Sequence, residues 1–150
     1  MATIDGLPPL RAVIATHGLA ARKSLGQNFL LDRGVLSKFA SAAGPMAGTS
    51  LVVEIGAGPG GLTAALLSAG APRVVAIERD YECVQALLAS ELPALAGDRL
   101  RIIHGDARRV GLAELCAEEG LAEATGGSVK VVGNLPFSVS GVLHCLVVRE

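Results

Sequence analysis

The segment Leu51-Val-Val-Glu54-Ile-Gly56-Ala-Gly58-Pro-Gly60-Gly61 decides the fold. Its first five residues form a short apolar run, typical of a buried parallel strand, and a cluster of glycines follows. Glycine lets the backbone approach a ligand closely, because no Cβ intervenes and a positive φ costs little. The spacing of Gly56, Gly58 and Gly61 also matches the glycine pattern of dinucleotide-binding turns. The segment therefore predicts a strand, a ligand-binding turn and a helix in direct succession.

Glu78 ends the next predicted strand, 22 residues after Gly56. A carboxylate at that position can accept hydrogen bonds from both hydroxyls of a ribose. These two features fit either NAD or S-adenosylmethionine and do not distinguish between them. A glycine turn that binds nothing is the alternative, and the presence of Glu78 makes it the weaker one.

The rest of the chain alternates strands with helices. This pattern produces right-handed βαβ units and a doubly wound, mostly parallel sheet, so the sequence predicts an α/β fold. Strands are predicted over Leu51–Ile55, Arg73–Glu78, Leu100–His104 and Val129–Gly133, and helices over Gly34–Ala43, Leu62–Ala69, Tyr81–Ala96 and Leu112–Glu119. The longest of these helices is expected to bury one face, formed by Val84, Leu87, Leu88, Leu92 and Leu95.

Three further features favour S-adenosylmethionine over a dinucleotide. Glu54 precedes the first glycine of the turn, where a carboxylate can meet the ammonium of a methionine moiety. Pro59 lies where a dinucleotide fold places the first turn of its phosphate-binding helix, and proline has no N–H to offer a phosphate. After the third strand, Asp106 can accept a hydrogen bond from an adenine amine while the backbone N–H of Ala107 donates to a ring nitrogen.

The motif Asn134-Leu135-Pro136-Phe137 follows the fourth predicted strand and suits methylation of an exocyclic adenine amine. The lone pair of that amine is delocalised into the ring. The side-chain carbonyl of Asn134 and a backbone carbonyl near Leu135 or Pro136 can accept both amine hydrogens and favour a pyramidal nitrogen. Phe137 offers a flat face on which an extruded base can stack. A simple turn that closes a strand is the alternative reading of these four residues.

Composition excludes several classes of protein. The chain has 150 residues, 51% of them hydrophobic and 18% charged, which suits one folded domain. No run reaches the roughly 18 apolar residues that a membrane span needs, and the start lacks the order of a secretory signal, so an intracellular, non-membrane location is expected. The scattered cysteines and histidines predict neither a disulfide framework nor a metal site. These residues are Cys83, Cys116, Cys145, His17, His104 and His144.

The net charge of −1 hides an asymmetry between two predicted parts of the chain. Residues 1–50, a segment expected to be basic and helical, carry five bases and two acids, a balance of +3. Residues 51–150, the predicted cofactor-binding domain, carry eight bases and twelve acids, a balance of −4. A basic segment on an acidic body indicates where a polyanion such as RNA could dock.

The stretch Lys23-Ser-Leu-Gly-Gln27-Asn28-Phe29-Leu30-Leu31-Asp32 resembles the N-terminal signature of the adenine dimethyltransferases of small-subunit ribosomal RNA. This family includes the kasugamycin-sensitivity methyltransferases of bacteria and the mitochondrial transcription-factor-B type. The similarity extends from Leu7 to about Ser140, with four motifs in the family order. It implies a Rossmann-like class I methyltransferase fold, S-adenosylmethionine as cofactor, and N6,N6-dimethylation of adenines in the RNA of the small subunit or its precursor. A monomer is expected, in the cytoplasm of a bacterium or the mitochondrial matrix of a eukaryote.

The resemblance also implies roles for individual residues. Asn28 and Leu30 would line the methionine end of the cofactor, and Gly56 would belong to the glycine turn. Glu78 would bind the ribose and Asp106 the adenine, while Asn134 would open the catalytic loop.

Two departures from the family pattern leave alternatives open. Phe137 stands where bacterial members usually have tyrosine, and the sequence ends at Glu150, before further strands and a helical RNA-gripping domain. The chain is thus expected to be a fragment, truncated after its fourth strand with that strand at the sheet edge, or a degenerate copy. The alternative functions are a non-catalytic ribosome-assembly or mitochondrial transcription factor, a macrolide-resistance methyltransferase acting on large-subunit RNA, and an NAD-dependent oxidoreductase.

Overall fold

A computed structural model describes residues 33–121, 127–135 and 142–148 of the chain. Strands and helices alternate there as the sequence predicts, and the bounds of the four predicted strands agree to within two residues. In chain order the elements are α1 (Arg33–Ala42), β1 (Thr49–Ile55), α2 (Gly61–Ser68), β2 (Val74–Glu78), α3 (Tyr81–Ala89), α4 (Leu92–Ala96), β3 (Leu100–His104), α5 (Leu112–Glu118), β4 (Ser128–Leu135) and β5 (Val142–Val148), with short 3-10 turns at Gly97–Arg99 and Ala107–Arg109.

The five strands form one sheet in the order β3-β2-β1-β4-β5. The first four run parallel, with Ile55 of β1 in register with Ile77 of β2 on one side and Gly133 of β4 on the other. The chain thus builds the sheet outward from β1 through β2 to β3 and then returns to the other side of β1. In open α/β sheets, ligands bind at the carboxyl ends of the strands beside such a reversal.

Helices cover both faces of the sheet because successive side chains of a strand point to opposite faces. On one face α1 to α4 pack around the strands, with Val52 of β1, Leu66 of α2 and Leu87 of α3 fully buried. On the other face Val53 and its neighbours pack against Leu115 of α5. Full burial of each such leucine contributes roughly 1.5–3 kcal/mol. Two continuous cores therefore hold the strand ends in fixed positions.

The predicted single helix from residue 81 to residue 96 was wrong, because it is broken at Ser90. The backbone of Ser90 is extended, with ψ of 171°, and its hydroxyl donates to the carbonyl of Leu87 at 2.7 Å. Pro93 lies in the first turn of α4, where its missing N–H is tolerated, and it would break a longer helix there. Two residues of the predicted apolar face are exposed and not buried, with Leu88 51% exposed and Leu95 46% exposed.

The prediction that β4 forms a sheet edge was also wrong. The apolar strand β5 pairs with β4 antiparallel, with Val132 opposite Cys145 and Asn134 opposite Leu143. The open N–H and C=O groups of an edge strand attract such a run. The connection between the two strands is too short for the crossover that a parallel pair needs, so β5 returns in the opposite direction.

Lys130 of β4 joins the sheet to the end of α1. Its side chain is buried, and Nζ donates to the carbonyl oxygens of Ala43 at 2.5 Å and Pro45 at 2.8 Å. A cation is favourable beside the carbonyls at the end of a helix. The predicted boundary at residue 50 stays a prediction, although α1 shares a core with the sheet.

Candidate functional site

The carboxyl ends of the four parallel strands bring the predicted site residues to one edge of the sheet. Ile55, the last residue of β1, is in register with Ile77 and with Gly133, and Glu78 is in register with His104. The glycine turn, Glu78, the segment that contains Asp106, and Asn134 therefore follow neighbouring positions along this edge. Residues far apart in sequence meet here only because the strands are parallel and aligned.

The glycine turn is held against the tip of β2. Gly56 and Gly58 adopt φ of 74° and 56°, a left-handed backbone that disfavours residues with a Cβ. The N–H of Gly56 donates to the carbonyl of Ile77 at 2.9 Å, and the N–H of Gly58 donates to Oε1 of Glu78 at 3.2 Å. Pro59 lies in the turn, ahead of the helix that begins at Gly61. The turn is thus a fixed cradle whose backbone is close to the Glu78 carboxylate.

Glu78 presents a carboxylate that the backbone orients. Its side chain is buried, and its two oxygens accept from the N–H groups of Gly58 and Arg79, the latter at 2.9 Å. Burial raises the pKa of Glu78, while backbone hydrogen bonds from Arg79, Asp80 and Gly58 oppose that rise. Each oxygen retains capacity to accept a further hydrogen bond, as from a hydroxyl of a ligand.

Glu54 is more deeply buried than Glu78 and has fewer partners. Its side chain is 1% exposed, and Oε1 accepts a hydrogen bond from the hydroxyl of Thr63 in α2. Oε2 is buried and has no hydrogen-bond partner. Burial, and to a smaller extent the charge of the nearby Glu78, raises the pKa of Glu54 to about 8, against the lowering effect of the Thr63 hydroxyl. A buried carboxyl with one unpartnered oxygen is a position at which a cationic ligand group can complete the hydrogen bonding.

Asp106 lies at the start of the 3-10 turn after β3. Its carboxylate accepts from the backbone N–H of Arg108 at 2.9 Å and pairs with the guanidinium of Arg108 at 2.7 Å. These side-chain and backbone hydrogen bonds lower the pKa of Asp106 to about 2. The carboxylate is therefore ionised at neutral pH and acts only as a hydrogen-bond acceptor, as contact with an adenine amine requires.

The backbone of the predicted catalytic motif is described only in part. Asn134 and Leu135 are the last two residues of β4, so the motif begins inside the strand and not after it. Pro136 and Phe137 lie outside the described residues, as do Asn28 and Leu30. The register of β4 with β1 brings the backbone of Asn134 to the same edge as the glycine turn.

The sequence did not single out four residues of this edge. Thr63 lies nine positions after Glu54, a spacing with no familiar meaning, and only packing of α2 on β1 brings the two together. Arg108 could have been found as a base two residues after Asp106. Tyr81 and His104 form a tilted ring pair, with centroids 5.7 Å apart, which joins the start of α3 to the end of β3.

The arrangement suits an organic ligand with hydroxyl, amine and cationic groups. Among the described residues, no cluster of three or more histidine, cysteine or acidic side chains could hold a metal ion. In the same ranges no helix combines the length and the apolar character needed to cross a membrane.

Comparison with known proteins gives the class and then the family. A doubly wound sheet with a glycine turn after β1, a carboxylate at the end of β2 and another after β3 is a Rossmann-like fold of the class I methyltransferase type. The family model "Ribosomal RNA adenine dimethylase" matches residues 18–149. The chain belongs to the ribosomal RNA adenine dimethylase family, as the motifs predict.

Curated relatives carry the name ribosomal RNA small subunit methyltransferase A. The protein of Mesorhizobium japonicum is 52% identical over 137 residues, which cover 91% of this chain and 47% of the relative. The protein of Sinorhizobium medicae is 50% identical over 139 residues, which cover 93% of this chain and 46% of the relative. The chain thus spans nearly half the length of the curated relatives it matches.

Solved structures are similar in fold at low sequence identity. The cofactor-bound protein Rv0187 from MTB is 19% identical, with a TM-score of 0.51 over 87% of this chain and 67% of that chain. This likeness agrees with the α/β fold described above.

Proposed function

We propose that this chain is the cofactor-binding part of a protein that transfers methyl groups from S-adenosylmethionine to N6 of adenines in small-subunit ribosomal RNA. Two groups would be transferred to each adenine. One observation carries the proposal: three acceptor carboxyls and the end of β4 meet at one edge of the sheet. The carboxyls belong to Glu54, Glu78 and Asp106, and β4 ends with Asn134 and Leu135.

The carboxyls fit the three polar parts of S-adenosylmethionine. The unpartnered oxygen of Glu54 would accept from the ammonium of the methionine part. Glu78 would accept from the ribose hydroxyls, next to the turn formed by Gly56 and Gly58. Asp106 would accept from the adenine amine, with the backbone N–H of Ala107 donating to a ring nitrogen. When bound, the cofactor supplies an electrophilic methyl group on a sulfonium.

The end of β4 would position the target adenine. The side-chain carbonyl of Asn134 and a backbone carbonyl near Leu135 or Pro136 would accept the two hydrogens of the amine. This arrangement favours a nitrogen lone pair that points at the methyl group, and Phe137 would stack on the base. Stacking of this kind is worth roughly 1–3 kcal/mol per base. The basic segment 1–50 would supply part of the RNA contact, and Asn28 and Leu30 would line the methionine end of the cofactor.

The relatives support the choice of substrate and compartment. Those named above are bacterial and carry a name that specifies small-subunit ribosomal RNA. We therefore favour the bacterial cytoplasm over a mitochondrial matrix, and small-subunit RNA over the large-subunit target of macrolide-resistance enzymes. Action as a monomer stays a prediction.

The direct test is mass spectrometry of small-subunit ribosomal RNA from cells that lack the gene. Loss of dimethyladenosine, with recovery when the wild-type gene is restored, is the expected result. A restored gene that carries Asn134→Ala should produce the protein but should not restore dimethyladenosine. Recovery of dimethyladenosine with the Asn134→Ala gene would contradict the catalytic role, and unchanged modification in the deletion strain would contradict the function itself. A non-catalytic assembly factor would give that last result.

A further inference from the structure

The carboxyl of Glu54 lies in surroundings that disfavour a negative charge. It is 1% exposed, receives one hydrogen bond, from Thr63, and has one oxygen with no partner. Its register partners on the neighbouring strands are the apolar residues Ala76 and Val132, both fully buried. An ionised carboxylate held this way is strongly destabilised unless a cation or further donors approach it.

The charged groups near Glu54 do not compensate it. Glu78 on β2 contributes a repulsive negative charge. On β4 the base Lys130 is two residues before Val132, but its Nζ is engaged with the carbonyl oxygens of Ala43 and Pro45. Helix α2, which packs directly over β1, carries no charged residue and offers only the Thr63 hydroxyl. Among the described residues, no cation partners this carboxyl.

We propose that Glu54 carries a proton in the free protein and releases it to solvent when the cationic amino group of the cofactor binds, with Thr63 as the positioning residue. This inference rests on the proposed function. In the step, the O–H bond of the Glu54 carboxyl breaks, the proton passes to water or buffer, and the carboxylate pairs with the ammonium. No covalent bond to the ligand forms and no electron is transferred. Thr63 holds Oε1, so Oε2 is the oxygen left for the ligand.

The coupling between proton release and binding sets the direction in which the affinity for S-adenosylmethionine changes with pH. Because binding releases a proton, a rise in pH favours binding as long as the free carboxyl remains protonated. Burial raises the pKa of Glu54 to about 8, so binding at pH 7 should release about 0.9 proton. The affinity should rise about ninefold between pH 6 and pH 7.

Calorimetry of the whole protein in buffers of different ionisation enthalpy measures the proton directly. S-adenosylmethionine should release close to one proton at pH 7. 5′-Methylthioadenosine, which lacks the amino acid part, should bind with no release. Glu54→Gln should bind S-adenosylmethionine without release and with an affinity that hardly changes with pH. Glu82→Gln, which removes an exposed carboxylate outside the proposed cofactor contacts, is the control and should retain the release.

Variants of Thr63 separate positioning from simple packing. Thr63→Val keeps the shape and removes the hydroxyl, so ionisation of Glu54 becomes harder and the pH at which the affinity levels off should move upward. Thr63→Ser keeps the hydroxyl and should leave that pH unchanged. A Thr63→Val protein that binds more weakly at every pH, with no shift of the profile, would show a packing role only.

The outcomes distinguish this inference from the proposed function. Absence of any binding of S-adenosylmethionine would contradict the function. Binding without proton release, or release that persists in Glu54→Gln, would contradict the inference and leave the function standing. Circular dichroism of each variant confirms that the fold is retained.

Discussion

The amino and carboxyl ends of the parallel strands differ in how their acidic side chains are partnered. At the amino end, the carboxylate of Glu119 is 2% exposed and pairs with both Arg73 and Arg101. Arg99 there donates to the carbonyls of Leu67 and Ala71, at 2.7 Å and 2.9 Å. At the carboxyl end, Glu54 is more deeply buried than Glu119, yet it has one hydrogen-bond partner and one oxygen with none.

The pKa values report the same contrast. Burial raises the pKa of Glu119, but hydrogen bonds from Arg73 and Arg101 outweigh it and leave the pKa below its usual value. Burial raises the pKa of both Glu54 and Glu78, and their hydrogen bonds do not compensate. The carboxylate of Glu119 is thus satisfied within the chain and contributes to stability. At the carboxyl end, Asp106 is paired with Arg108, whereas Glu54 and Glu78 retain acceptor capacity for a ligand, which is typical of a functional site.

The largest effect is expected at the end of β4. Asn134→Ala should lower the rate of methyl transfer by about 10²–10³-fold, because it removes an acceptor that acts on the target amine in the transition state. Single-turnover kinetics and a separate measurement of cofactor Kd should show a fall in kcat with Kd nearly unchanged. Arg101→Met, at the amino end, is the control and should keep near-normal turnover. Near-normal turnover in Asn134→Ala would mean that the motif is only a turn.

The next largest effect concerns the ribose contact. Glu78→Ala should weaken cofactor binding by roughly 1–3 kcal/mol, because ligand hydroxyls would be left without an acceptor. Asp106→Ala should weaken it as well, and isothermal titration calorimetry measures both. Glu82→Ala, an exposed carboxylate on the same side of the sheet, is the matched control and should bind normally. Unchanged affinity in both Glu78→Ala and Asp106→Ala would rule out the cofactor assignment.

The pH dependence of stability should have opposite signs at the two ends. The pKa of Glu54 is about 8 in the folded protein, above its usual value of 4.5, so the folded state binds more protons between those values and stability should fall as pH rises through that window. Glu119 has a lowered pKa, so its contribution is present above its usual pKa and is lost as pH falls below it. Urea unfolding of the ligand-free protein from pH 4 to pH 8 should show a flatter curve above pH 5 for Glu54→Gln. An unchanged curve for that variant would contradict the buried-acid description.

A smaller effect is expected from the ion pairs of the amino end. Arg101→Met should lower the free energy of unfolding by less than about 1 kcal/mol, because the arginine is 38% exposed and solvent screens the pair. Glu119→Gln should lower it somewhat more, since two arginines lose their partner. Thermal unfolding measures both changes, while cofactor Kd should remain that of the wild type. A loss of cofactor affinity in either variant would contradict the inference that the amino end of the sheet contributes to stability and not to cofactor binding.

The smallest effect is expected from exchange of one aromatic ring for another in the catalytic motif. Phe137→Tyr should leave turnover within about twofold, since both rings present a stacking face, whereas Phe137→Ala should weaken capture of the base by roughly 1–3 kcal/mol. The RNA concentration at half-maximal rate is the quantity to compare. Equal RNA concentrations at half-maximal rate for Phe137→Ala and Phe137→Tyr would contradict a stacking role for Phe137.

Local patterns determined much of the fold. Short, mostly apolar runs predicted the four parallel strands, because a parallel strand covered by helices on both faces is largely buried. The prediction from sequence patterns failed between residues 81 and 96. The helical spacing of apolar residues continues through Ser90 there, but the helix ends before that residue. The sequence patterns also led to no predicted strand at Val142–Val148. That run forms a strand because β4 offers an open edge for pairing.

The sequence by itself determined the family and placed the glycine turn and three candidate carboxyls after or at the ends of predicted strands, because these depend on residue type and spacing along the chain. Only the tertiary structure decided what each carboxyl contacts. Thr63 meets Glu54 because α2 packs over β1, and Arg108 reaches Asp106 because the chain turns after β3. Burial and hydrogen-bond partners set the protonation of these groups, and for Glu54 both arise only when separate segments of the chain come together.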